Sequence, residues 1–129
     1  MVIDRSALLA ILLDEPEQVA FIEAITADQT RLCGAATLFE TSLVILARRG
    51  EPGLAELRAF HDRAAIQTAG FGHEHVELAV DAFRRFGKGR HPAGLNFGDC
   101  FSYALAKATG EPLLFKGGDF AQTDVRRAV

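Results

Sequence analysis

One segment, residues 95–110, limits the possible folds of this chain more than any other. Asp99 stands behind Gly98 at the mouth of a helix that continues through Cys100, Phe101, Tyr103, Ala104, Leu105, Ala106 and Ala108. Only Ser102 and Lys107 interrupt its apolar surface, and Gly110 suits the left-handed turn beyond its end. A helix apolar on nearly every side must be covered on nearly every side, so this one is expected in the middle of the protein. Asp is among the favoured N-cap residues, and capping is the simplest role for Asp99. The positions of the other acids bear on whether it is the whole role.

The sequence N-terminal to that helix alternates short apolar runs with amphipathic stretches. Val2 and Ile3 form a brief strand ending at Asp4, and the apolar stretch 7–13 forms a helix capped near Asp4 or Ser6. Asp14-Glu15-Pro16 breaks it, because the residue before proline avoids helical geometry. A second helix is expected over 17–27, with Val19, Phe21, Ile22 and Ile25 inward, and a second strand over 31–34. Helices over 36–49, stopping at Gly50, and over 54–65 flank the turn Glu51-Pro52-Gly53. The first carries the row Ala36, Glu40, Leu43, Val44 and Ala47, apolar except for Glu40. A capping box, Thr37-x-x-Glu40, accounts for that acid; so would pairing, protonation or a metal, because a bare buried carboxylate is costly.

An edge strand over 66–69 precedes a helix over 75–86, with Val76, Ala79, Val80 and Phe83 inward. His73 and His75 are two apart and share no helix face, which weakens them as a metal pair. A glycine-rich basic loop, 87–94, then leads to Asp99. Leu113, Leu114 and Phe115 begin a further strand, left through Gly117 and Gly118 to Asp119, with a helical turn and a last strand beyond. Strands alternating with helices argue for an α/β domain: three layers, α/β/α, around a mainly parallel sheet of about four to five short strands, in one domain over 1–129.

Composition narrows the function classes. The 129 residues carry a formal net charge of -3, so no global basic field announces a polyanionic partner. A polyanion would need a local basic patch, a bound metal, or both. Cys33 and Cys100 lie in apolar runs, expected as buried free thiols, and their separation makes no zinc motif. No apolar run approaches the ~18 residues of a membrane span, and no basic stretch precedes the first apolar run. A cytoplasmic protein without membrane contact is expected.

In parallel sheets, chemistry gathers at the carboxyl ends of the strands. Asp4 and Asp119 each follow a strand, Asp99 stands at a helix start, and Glu40 lies in the first turns of a helix leaving a strand. Each has an ordinary role available as cap, capping-box partner or turn residue. Together they suggest a shared cause: neighbouring carboxylates repel, and a divalent cation relieves the repulsion. Mg2+ and Mn2+ take oxygen ligands, and such a site suits phosphodiester hydrolysis, with water activated and the phosphate neutralised by the metal. Lys88, Arg90 and His91 are placed to meet a phosphate backbone, with Arg84, Arg85 and Lys116 in support.

These residues resemble the PIN-domain family, and within it the VapC-type toxins of toxin–antitoxin pairs. The resemblance runs through Val2-Ile3-Asp4-x-Ser6-Ala7-Leu8, Leu38-Phe39-Glu40, the stretch from Gly87 to Cys100, and Leu113-Leu114-Phe115-Lys116-Gly117-Gly118-Asp119-Phe120 with Thr123-Asp124. It implies an Mg2+- or Mn2+-dependent endoribonuclease, homodimeric and inhibited by a cognate VapB-type antitoxin, acting on RNA. Asp4, Glu40, Asp99 and Asp119 would be its acids, with Asp4 and Asp99 as direct ligands, Glu40 and Asp119 direct or through water, and Ser6 in support. Asp124 rivals Asp119 for the fourth place. Arg5 stands where the family often carries a small hydroxyl residue, and Gly118 where asparagine is common. Two other readings remain. One is a catalytically silent domain that only binds a protein. The other is a receiver-like phosphoacceptor, which Asp4 and Lys116 suggest but which lacks a second acid after the first strand.

Overall fold

Two-residue strands suffice to divide this core, because successive side chains leave a strand on opposite faces. The computed structural model describes residues 1–129. Its elements are β1 (Val2–Ile3), α1 (Arg5–Leu12), α2 (Gln18–Ala27), β2 (Leu32–Gly34), α3 (Ala35–Arg63), β3 (Gln67–Ala69), α4 (His73–Phe86), α5 (Phe97–Thr109) and β4 (Leu113–Leu114). Val2 and Leu113 pack on one face with Phe86, Leu95, Tyr103 and Leu105. Ile3 and Leu114 pack on the other with Leu8, Ile11, Phe21 and Ile25. The four strands run parallel in the order β3-β2-β1-β4, so the architecture is the three-layer α/β/α expected from the alternating elements. The expected last strand is reduced to one bridge, Leu113 with Arg127, after a 3-10 turn at Phe120–Gln122.

The central helix is α5, where Cys100 and Ser102 to Ala106 are all buried. It starts two residues before Asp99. Asn96 is the cap, its Oδ1 accepting from the Asp99 N–H at 2.9 Å, and Asp99 Oδ2 accepts from the Asn96 N–H at 3.0 Å. Asp99 is therefore the third residue of a reciprocal capping box rather than the N-cap.

Three expected inward faces are turned. On α2 only Phe21 and Ile25 are buried, and Val19 is 63% exposed. On α3 the inward row is Thr37, Thr41 and Ile45; the row through Glu40 lies along the flank, with Leu43 and Ala47 exposed. The sheet side of α3 is occupied by small hydroxyl side chains because α5 passes close by: the Thr37 and Ser102 hydroxyls are 3.3 Å apart. The Thr37-x-x-Glu40 capping box does not form, since α3 already starts at Ala35 and Thr37 lies inside it. Helices expected over 36–49 and 54–65 are the two arms of α3, kinked at Gly50, whose φ of 66° is the left-handed conformation glycine adopts freely. On α4 the buried anchors are Ala82 and Phe86, while Val76, Val80 and Phe83 remain about two-fifths exposed. With Phe71, Phe97 and Phe101 they line an open apolar groove of about 620 Å³ between α4 and α5.

Candidate functional site

The ends of β1 and β4 meet through one hydroxyl. Ser6 Oγ accepts from the Lys116 backbone N–H at 3.0 Å and donates to Asp4 Oδ2 at 2.7 Å. Asp4 Oδ2 also accepts from the Ser6 N–H at 2.9 Å, which caps α1. Its Oδ1 accepts from Ser102 Oγ at 2.6 Å. Because an ionised carboxylate only accepts, Ser102 spends its proton there, and the Thr37 hydroxyl is left to donate to Ser102. Asp4 is buried and held from both sides.

Asp99 is also buried, and its carboxyl is raised from the ordinary 3.8 to about 6. Desolvation is the main cause; the Asn96 N–H acts against it, and the carboxylates of Asp4 and Asp119 push the same way as burial. Arg5 opposes them. Asp119 itself is exposed, just past Gly117, whose φ of 96° makes the turn. Asp124 sits in a different network. It accepts from Tyr103 Oη at 2.8 Å and pairs with Lys107 at 2.9 Å and Arg85 at 3.2 Å. Of the two rivals, only Asp119 acts on Asp99.

Glu40 is engaged elsewhere. Its Oε1 pairs with Arg5 Nη1 at 2.7 Å, and its carboxylate lies against Gly98 so closely that a Cβ there would fall 2.3 Å from Oε2. No three acidic, His or Cys side chains stand close enough together to hold a metal ion. The structure thus brings Asp4, Asp99 and Asp119 within electrostatic reach, and leaves Glu40 beside them in the grip of Arg5.

The donor set nonetheless fits a hard divalent cation. The acids and hydroxyls of this site, Asp4, Ser6, Asp99, Ser102 and Asp119, all offer oxygen, and Asp99 Oδ1 has no hydrogen-bond partner in the protein. Burial first, and then the charges of Asp4 and Asp119, raise the Asp99 carboxyl, and a bound cation would offset both costs.

The expected basic residues are less uniform. Lys88 and Arg90 are exposed on a loop pinched shut by Lys88 N–H to Leu95 O at 2.9 Å, and the Arg90 guanidinium lies 5.7 Å from the Phe83 ring centre. His91 is folded into that loop, its Nδ1 accepting from the Ala93 N–H at 3.0 Å and its ring packing edge-on to Phe86. Lys116 pairs with Glu15 and Glu17, and Arg84 and Arg85 pair with Asp81. Sequence reasoning missed Ser102, Thr37 and Asn96. Two left a signal: Ser102 is the polar break in an apolar helix, and Asn96 stands three residues before Asp99, the spacing of a capping box.

Comparison with known proteins gives a consistent result. The family model described as PIN domain matches residues 1–126. Ribonuclease VapC30 of Mycobacterium tuberculosis is 54% identical over 97% of this chain and 95% of its own length. Ribonuclease VapC of Mycolicibacterium smegmatis is 51% identical over 97% of each. Among solved structures, Mycobacterium tuberculosis VapC20, described as a Sarcin-Ricin loop cleaving toxin, superposes with a TM-score of 0.76 over 96% of this chain and 95% of its own. At 15% identity that likeness speaks to the fold.

Proposed function

The chain belongs to the PIN-domain family, among its VapC ribonucleases, and on that premise we propose that it is a metal-dependent endoribonuclease, the toxin of a VapBC-type pair. The observation that carries the reading is the buried Asp99 carboxyl within electrostatic reach of Asp4 and Asp119, which follow adjacent parallel strands. Asp4 and Asp99 would hold Mg2+ or Mn2+ directly, with Asp119 and Glu40 direct or through water. When bound, the ion supplies a water of lowered pKa and positive charge for the phosphate. Ser6 and Ser102 fix both oxygens of Asp4, so that carboxylate needs no reorganisation when the substrate arrives. Asn96 fixes one oxygen of Asp99 and leaves the other for the ion or its water. Lys88 and Arg90 would meet RNA phosphates, with His91 shaping the loop that carries them and Lys116, paired with Glu15 and Glu17, beside the end of β4.

The VapC reading supplies two macromolecular partners, RNA and a VapB-type antitoxin. A second copy of the chain fits the groove between α4 and α5. The N-terminal half of α4 carries Glu74 and Glu77, and its end carries Arg84 and Arg85 around Asp81. A two-fold axis near Val80 would set each acidic half against a basic end while covering the apolar stripe. No helix is long and apolar enough to cross a membrane. The free, buried thiols of Cys33 and Cys100 fit a cytoplasmic setting.

The test is cleavage of mixed cellular RNA by wild type and Asp99→Asn, with Mn2+ and with chelator. We expect cleavage only by wild type and only with metal. Equal cleavage by the two proteins would sink the assignment.

A further inference from the structure

The Arg5–Glu40 pair joins the acidic site to the one cation built into its wall. Arg5 is the first residue of α1, next in sequence to Asp4, and its guanidinium reaches across to α3 to meet Glu40 Oε1 at 2.7 Å. Both side chains are about one-third exposed, at 30% and 35%, so the pair can open without unpacking the core. Gly98 leaves the space in which the Glu40 carboxylate rests, one residue from Asp99. Glu40 therefore stands at the rim of the carboxylate cluster with its charge already committed. We propose that Arg5 is a latch: it holds Glu40 while the site lacks a divalent ion, and that ion must displace it to recruit Glu40.

Two consequences follow from the geometry. Arg5 and the divalent ion compete for one carboxylate, so each weakens the other's hold on Glu40 by the same factor. On ion capture the guanidinium is freed beside the site, where a planar fork of donors suits a phosphate oxygen pair. The inference rests on the metal-site reading of Asp4 and Asp99, and the experiment separates the two.

Mn2+ binding to the full chain is measured by calorimetry and by the electron paramagnetic signal of free Mn2+, for wild type, Arg5→Ser, Arg5→Lys, Glu40→Gln and the double variant Arg5→Ser with Glu40→Gln. Far-ultraviolet circular dichroism without metal confirms that each is folded. We expect Arg5→Ser to bind Mn2+ about two- to fivefold more tightly, the range set by a partly exposed ion pair. Arg5→Lys should lie between it and wild type. In the Glu40→Gln background the same Arg5 change should tighten binding clearly less, because only the direct influence of Arg5 on Asp99 remains. Unchanged or weaker binding by Arg5→Ser overturns the latch, as does equal tightening with and without Glu40, which would mean plain charge repulsion. Absence of Mn2+ binding by wild type would remove the metal site and the latch together.

Discussion

Ser102 Oγ donates to Asp4 Oδ1 at 2.6 Å, a contact between residues 98 positions apart that ties the middle helix to the first strand end. Both groups are buried, so the bond is made where water cannot replace it. Ser102→Ala should cost activity about ten- to hundredfold, the usual effect of removing a group that orients a metal ligand. Cleavage rates at saturating Mn2+, with Mn2+ affinity measured separately, check this. A variant with wild-type rates would show that Ser6 alone fixes Asp4.

Asp99 sets a balance between stability and function. Its carboxyl is raised in the fold, so the native state holds its proton where the unfolded chain has released it. Its contribution to stability is neutral below about pH 4, becomes unfavourable as pH rises towards about 6, and stays so above. The step from 3.8 to about 6 corresponds to roughly 3 kcal/mol as an upper limit. Metal-free Asp99→Asn, which keeps an acceptor for the Asn96 N–H, should therefore melt several degrees above wild type at pH 7 and no higher at pH 4. Melting curves across that range decide it; a variant less stable at pH 7 would contradict the cost assigned to the buried charge.

Gly98→Ala should separate Glu40 from the site without unfolding the protein. The added Cβ would fall 2.3 Å from Glu40 Oε2, the far end of a flexible side chain, so the carboxylate moves and the backbone need not. Alanine gains up to ~1 kcal/mol of helix propensity over glycine. The expected outcome is an unchanged or raised melting temperature with several-fold lower cleavage. A loss of both would place Gly98 in packing instead.

Tyr103 holds the C-terminal tail through its 2.8 Å bond to Asp124. Burial first, then the Asp124 contact, raises its phenol above the ordinary range, while Lys107 and Tyr103 outweigh burial to lower Asp124. Tyr103→Phe should cost about 1–2 kcal/mol in urea unfolding, with cleavage unchanged. A large loss of cleavage would return Asp124 to consideration as the fourth acid.

Val80 lies at the middle of the exposed stripe on α4, and it is 45% exposed. Val80→Glu should leave the monomer folded and shift sedimentation from dimer to monomer at micromolar concentration. Persistence of the dimer would assign the groove to another partner.

Much of the fold was legible in the chain order because period is local: Val2-Ile3, the breaks at Pro16 and Gly50, and the apolar run over α5 each follow from neighbours in sequence. Which apolar stripe turns inward was not. Val19 of α2 and Val80 of α4 sit on sound helical periodicities yet face outward, because a four-strand sheet of two- and three-residue strands covers only a narrow strip of each helix. At the candidate site the acids could be listed from the sequence, since carboxylates after strands and at helix starts are visible by position. That Glu40 is gripped by Arg5, that Asp124 belongs to Tyr103, and that a hydroxyl on the central helix locks Asp4 depended on contacts across 35, 21 and 98 positions. Residue type fixes what a side chain can bond; only the packing of distant elements fixes which of several willing partners it meets.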